Sequence, residues 1–305
     1  MGDTDKAVAE GDEDSAASGA VRIGVRKTYK IYVDGAFPRT ESGRSFTFTS
    51  PGGDTAVSVC RCTAKDFREA VTAARKAAPN WSSATPYLRG QILYRIAELL
   101  EGRRDQFIGE LQTQGATAEA SRLEVDASVD RLVYYAGWAD KYQQVFSSVN
   151  PVGESYFNFT VPEATGVVTL IAPESSALLG LVTHIAPAVI GGNTCIVLAS
   201  RSRPLSAITL CEALHAADLP PGVVNVLTGF KAELVGPFSS HMDVNATVYC
   251  GEDHEDIKQV QLNAARNVKR VFVRKNIDLF SDEAQSPYYI LDTQEFKTIW
   301  HPIGT

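Results

Sequence analysis

Thr165-Gly-Val-Val-Thr-Leu-Ile-Ala-Pro-Glu-Ser-Ser176 decides the fold of this chain, taken together with Ala186-Pro-Ala-Val-Ile-Gly-Gly-Asn193 and Leu219-Pro-Pro-Gly-Val-Val-Asn-Val-Leu-Thr-Gly229. Four apolar runs of strand length, Val167–Ile171, Thr194–Leu198, 223–227 and Ala246–Cys250, are separated by stretches long enough for helices. Strand–helix alternation of this kind predicts parallel strands joined by crossover helices. The expected fold class is α/β, a Rossmann-like parallel sheet with flanking helices. Gly191-Gly192-Asn193 reads as a turn entering a buried strand, and Pro220-Pro221-Gly222 as a helix-to-strand connection.

Upstream of this region the pattern is mainly helical. Thr63 is placed to cap a helix that carries Phe67, Ala70, Val71 and Ala74 on one face. Beyond Trp81 and Pro86, the residues Ile92, Leu93, Ile96, Leu99 and Leu100 define a second amphipathic helix, and a third is expected over 118–142. Alternation predicts a strand over 29–35 ending in an Asp-Gly turn, a short strand over Ser45–Thr49, and a β-hairpin over 145–161 with Tyr156, Phe157 and Phe159. Residues 1–20 hold six acidic side chains among Ala, Gly and Ser. Too little apolar surface is present there to offset ordering entropy, so an acidic disordered tail is expected.

Composition excludes several classes. The 305 residues suffice for one large or two ordinary domains, and no run of eighteen apolar residues is present to span a membrane. A net charge of −7 with no basic stripe argues against nucleic acid as the main partner. The amino terminus shows no signal-peptide pattern, and the five cysteines (Cys60, Cys62, Cys195, Cys211 and Cys250) lie in apolar patterns. Buried free thiols in a reducing, cytoplasmic setting are expected.

Tyr134-Tyr-Ala-Gly-Trp-Ala139, Pro187-Ala-Val-Ile-Gly-Gly-Asn193 and Leu219-Pro-Pro-Gly-Val-Val-Asn225 occur in this order, and with them the chain resembles the aldehyde dehydrogenase superfamily over residues 29–275. The resemblance implies the family's coenzyme-binding domain over 21–144 and 164–285. It also implies a small β oligomerisation element from 145–163 and 286–305, in which a carboxy-terminal strand over 292–302 joins the hairpin.

The chemical positions of the family are occupied by other residue types. The asparagine that helps hold the oxyanion corresponds to Ser175, whose shorter hydroxyl would miss the required distance. Capping of a helix beginning near Ala177 by Ser175 and Ser176 is the expected role for that pair. The lysine and glutamate that hold the adenosine ribose correspond to Leu198 and Arg201. Leu198 supplies no hydrogen bond, and Arg201 is expected to be a solvated loop charge, although it could meet a 2′-phosphate.

The pyrophosphate turn corresponds to Tyr249-Cys250-Gly251-Glu252-Asp253, placing Glu252 and Asp253 in the first turn of a helix. Each carboxylate would repel a phosphate ~4 Å away by about 1 kcal/mol in water and about 4 kcal/mol at an effective dielectric of 20. The general-base glutamate corresponds to Arg274, which stays protonated. No cysteine occupies the family's nucleophile motif, and no Gly-x-Gly-x-x-Gly, His-Glu-x-x-His or Gly-x-Ser-x-Gly motif is present.

The resemblance therefore implies a truncated member that lacks the catalytic domain. It would be noncatalytic by itself, bind neither cofactor nor metal, and assemble with a full-length aldehyde dehydrogenase or with itself. An NAD(P)-dependent oxidoreductase with an atypical site, or a ligand-sensing module using the vestigial nucleotide cleft, are the alternatives.

Overall fold

A five-stranded sheet, every strand parallel, forms the centre of the computed structural model, which describes residues 27–153 and 155–304. The expected acidic tail over 1–20 lies outside the described residues. In chain order, the elements begin with β1 (Ser45–Thr49), β2 (Ala56–Cys60), α1 (Ala64–Ser83), α2 (Pro86–Gly102), α3 (Arg104–Thr113), α4 (Ala118–Trp138) and α5 (Tyr142–Phe146). β3 (Ser148–Asn150), β4 (Tyr156–Ala164), β5 (Val167–Ile171), α6 (Leu179–Ile190), β6 (Thr194–Leu198) and α7 (Leu205–Ala216) follow. The last are β7 (Val224–Leu227), α8 (Lys231–Ser240), β8 (Ala246–Cys250), α9 (His254–Ala264), β9 (Arg270–Arg274), a 3-10 turn over Asp282–Gln285, α10 (Tyr288–Asp292) and β10 (Gln294–Pro302).

The main sheet has the order β7-β6-β5-β8-β9. Its apolar runs are continuous because both faces are covered. Val168 and Leu170 of β5 enter one core with α2, α4, α6 and α7, while Val167 and Ile171 enter the other, with Phe67 and Phe238 of α1 and α8. The Phe67 and Phe238 rings lie 4.4 Å apart. Chain direction reverses between β5 and β8, because β5 leads outward to β6 and β7 before the chain returns to β8 on the opposite side. A crevice opens beyond the carboxyl ends of strands at such a point.

Local chemistry sets the helix starts. Thr63 caps α1, with its own amide donating to Asp66 at 2.7 Å in a capping box, and Thr85 caps α2 ahead of Pro86. Gly222 is required where it stands: its φ is +83°, and a Cβ there would lie 2.6 Å from the carbonyl oxygen of Ala73 in α1.

Three expectations over the chain need correction. Residues 29–35 form no independent strand; Tyr32 exchanges two backbone bonds with Val226 and Tyr29 bridges Val59, so the segment is shared between two sheets. The helix expected over 118–142 ends at Trp138, with Tyr142 opening a separate short helix. Val145 belongs to that helix, so the hairpin begins only at Ser148. β2 and α3 were not foreseen.

β10 pairs antiparallel with β4 along its whole length, from Gln294 opposite Ala164 to Pro302 opposite Tyr156, giving a three-stranded sheet of order β10-β4-β3. No helix among the described residues is long and apolar enough to cross a membrane.

Candidate functional site

A cleft of about 770 Å³ opens at the carboxyl ends of β5, β8 and β9, where the strand order reverses. Pro173 and Glu174 follow β5 into it, Cys250 and Glu252 close the end of β8, and Arg274 ends β9. His184 of α6 and Lys231 of α8 contribute from the flanking helices.

Carboxylates of the chain itself hold the polar groups around this cleft. Glu174 accepts hydrogen bonds from the Ser200 hydroxyl (2.6 Å), the Ser202 hydroxyl (2.7 Å) and the amides of Ser202 (3.0 Å) and Arg201 (3.2 Å). Lys231 lies 3.7 Å from it. Burial works against ionisation of Glu174, but the hydrogen bonds from Ser200, Ser202 and Arg201 outweigh it and hold the carboxyl below its ordinary range. The loop after β6 thus closes around an internal anion.

The amino end of α6 is filled in the same way from below. One carboxylate oxygen of Glu124, a buried residue of α4, accepts from the Ser176 hydroxyl (2.6 Å) and the amides of Ala177 (3.1 Å), Leu178 (2.9 Å) and Leu179 (3.2 Å). These amides are the ones a helix start leaves without partners, and the negative charge suits the helix dipole.

Each residue singled out from the sequence can now be placed. Ser175 is exposed and its side chain makes no hydrogen bond among the described residues; Ser176 alone serves the helix, donating to Glu124 and accepting from the Gly180 amide at 2.8 Å. The expected capping pair is thus one serine and a distant glutamate, at a helix that begins at Leu179, two residues beyond Ala177.

Leu198 is a core residue. Arg201 is exposed, but its guanidinium stacks 4.2 Å from the Phe230 ring centre, as does that of Arg61. Glu252 and Asp253 precede α9 instead of lying in its first turn: Asp253 is the cap, accepting from the Asp256 amide at 2.9 Å, and the first turn carries Glu255 and Asp256.

Arg274 pairs with Asp292 and lies 4.2 Å from the Tyr289 ring centre. An arginine held in this way offers no base. Cys250 lines the cleft, but burial pushes its thiol up to about 12, leaving it un-ionised at neutral pH. All five cysteines are free and buried.

Residues 275–293, between β9 and β10, are tied across the top of α4 and α6. The Arg131 guanidinium donates to the carbonyls of Leu279 (2.8 Å) and Ala284 (2.8 Å), to Gln285 Oε1 (3.0 Å) and to the Thr183 hydroxyl (2.6 Å). Tyr135 adds a bond from its hydroxyl to the Ser286 carbonyl at 3.1 Å.

The model of the aldehyde dehydrogenase family matches residues 38–274, which includes every strand of the main sheet and the cleft lining from Pro173 to Arg274, but not its wall over 276–279. The chain belongs to the aldehyde dehydrogenase family. An aldehyde dehydrogenase of Alternaria alternata is 32% identical over 245 residues, covering 79% of this chain and 49% of the relative. Retinal dehydrogenase 2 of Gallus gallus is 33% identical over 254 residues, covering 80% and 48%.

Among solved structures, PnpE from Pseudomonas sp. WBC-3 superposes with a TM-score of 0.77 at 27% identity, over 81% of this chain and 50% of that one. The NAD+ complex of an aldehyde dehydrogenase from Bacillus cereus gives a TM-score of 0.77 at 25% identity, over 82% and 51%. The chain spans about half the length of the curated relatives it matches.

The family's fold was expected from three scaffold motifs, and these are in place around the parallel sheet. Glu124, Glu174 and Arg131 were not recognised from the sequence. Glu174 sits inside the quoted Pro173-Glu174-Ser175 stretch, so a carboxylate beside the singled-out Ser175 was a visible signal. Glu124 and Arg131 read as ordinary helix charges, because their partners lie 52 or more residues away.

Proposed function

We propose that this chain is a noncatalytic member of the aldehyde dehydrogenase family that assembles with a full-length aldehyde dehydrogenase or with a second copy of itself. Internal occupation of the cleft's donors is the observation that carries this reading. A dinucleotide needs backbone amides, hydroxyls and a helix start free to meet its phosphates. Here the amides of Arg201 and Ser202 serve Glu174, and the start of α9 is capped by Asp253 with Glu252 beside it. These residues do not fit a pyrophosphate. Arg274 offers no base and Cys250 no thiolate at this cleft, which supports the noncatalytic reading.

Assembly is supported by the sheet β10-β4-β3. Among the described residues its two outer strands present open edges, and Trp300 of β10 is 59% exposed. An open edge beside exposed aromatic surface is a generic means of recruiting a partner chain.

Two measurements test the reading. Calorimetric titration with NAD+ and NADP+ is expected to show no binding at millimolar concentration, and the purified protein is expected not to oxidise aliphatic or aromatic aldehydes. Size and mass of the native complex should exceed those of one chain. Turnover by the purified protein, or a single-chain mass in native extract, would overturn the proposal.

A further inference from the structure

Four carboxylates on the wall of the 770 Å³ cleft, those of Glu252, Asp253, Asp256 and Asp278, pair with no cationic side chain among the described residues. The two cations of the wall are already engaged, Lys231 with Glu174 and Arg274 with Asp292. The rim therefore carries negative charge that no side-chain cation balances, although Asp253 accepts from the Asp256 amide at the start of α9, Asp256 from the Tyr249 hydroxyl and Asp278 from the Phe280 amide. Independently, His184 lines the same cleft, is 5% exposed, and has no hydrogen bond on either ring nitrogen among the described residues; its ring only stacks on Tyr289, 6.0 Å between centres. Its ring nitrogens are not sealed in the core, so they are free to bond to what fills the cleft. Ile277, Leu279 and Pro173 supply apolar wall between these two polar regions.

We propose that this cleft binds a small aliphatic amine that also carries a hydroxyl, with the ammonium held by the acidic rim and the hydroxyl bonded to His184. The volume lies within the ~300–1,000 Å³ of small-molecule sites, and a mainly apolar wall with a few placed polar groups is their usual composition. His184 is neutral, because burial and the neighbouring Arg274 and Arg131 push it down to about 3. A neutral imidazole has one donor and one acceptor nitrogen, which a hydroxyl matches in either direction. An ammonium is disfavoured at that end by the same two arginines. A metal ion is a poor occupant, since no three His, Cys, Asp or Glu side chains among the described residues are arranged to hold one.

Calorimetric titration of the full chain with 3-amino-1-propanol, 5-amino-1-pentanol and 6-amino-1-hexanol tests the proposal, with n-pentylamine and 1,5-pentanediol as single-feature controls. At least one amino alcohol should bind at submillimolar Kd, roughly tenfold or more tighter than either control, and weaken as NaCl is raised. The E252Q/D278N variant, altered only at the rim, should bind at least tenfold more weakly. His184→Gln should bring the amino alcohol to the level of n-pentylamine. Because that residue is buried, the comparison between ligands on the unaltered protein carries the test if the variant misfolds. No binding up to 10 mM, affinity equal to n-pentylamine, or affinity unchanged in E252Q/D278N overturns the proposal. Failure here leaves the noncatalytic reading standing; binding of NAD+ in this cleft would overturn that reading as well.

Discussion

The Ser176 hydroxyl donates to the Glu124 carboxylate at 2.6 Å and accepts from the Gly180 amide at 2.8 Å, so one serine links a buried charge on α4 to the first turn of α6. The same carboxylate oxygen takes three further backbone amides. Removing it leaves these donors buried and unpaired, each costing on the order of 1–3 kcal/mol. Glu124→Ala should therefore destabilise the protein by about 3 kcal/mol or more in urea unfolding. Glu124→Gln keeps an acceptor but loses the charge, and about 1–2 kcal/mol is expected. An alanine variant as stable as the parent would show that the cap contributes nothing.

Arg131 makes the main polar tie between α4 and residues 279–285, through two carbonyls and the Gln285 side chain. A lysine has a single nitrogen and cannot reproduce this fork. Arg131→Lys should cost about 2–3 kcal/mol. Amide exchange over 279–293 should accelerate markedly while the β5 and β6 amides keep their protection. Uniform acceleration along the chain would mean that Arg131 acts on the whole fold and not on this segment.

His184 makes stability depend on pH in a defined direction. Its folded value of about 3 lies below the ordinary 6.5, so between these limits the unfolded chain binds a proton that the folded chain does not. Stability contributed by the neutral ring is complete above pH 6.5 and falls as pH drops, by about 1.4 kcal/mol per unit. His241 is also lowered by burial and adds to the slope, so the informative quantity is the difference between the parent and H184Q. Urea midpoints from pH 7.5 to 5 should fall more steeply for the parent. Parallel curves would place His184 in solvent.

Val268 has φ of +55°, and its side chain is 90% exposed just beyond α9. A β-branched residue in the left-handed region is strained by about 1–2 kcal/mol, and no packing offsets it here. Val268→Asn should stabilise the protein by about 1 kcal/mol, raising Tm by roughly 2 °C. A lowered Tm would indicate that the valine covers apolar surface in an assembled form.

Trp300 meets Tyr156 edge-on at 5.9 Å across the β10–β4 pair, and both residues are exposed, the tryptophan more so. Trp300→Lys should cost the isolated chain only about 0.5–1.5 kcal/mol for the lost ring pair. If the sheet recruits a partner, the same change should shift native mass toward that of one chain. An unchanged assembly would move the interface elsewhere.

What the sequence by itself determined were the parts governed by local pattern. Continuous apolar runs identified four of the five parallel strands, β9 (Arg270–Arg274) with its flanking arginines being missed, Thr63 marked the start of α1, and the Gly and Pro turns placed the connections between them. The expectation that Ser175, Leu198, Arg201, Glu252 and Arg274 stand at the family's reactive positions also came one position at a time from the sequence. Only the tertiary structure decided which charges meet. Glu124 reaches Ser176 and Arg131 reaches Ala284 across 52 and 153 residues, and such pairs leave no periodic trace because hydrogen-bond complementarity depends on distance in space. Hence the scaffold was legible in advance, while the carboxylates that fill the cleft's donors, the strap over 275–293 and the unpartnered His184 emerged only once the strands brought remote segments together.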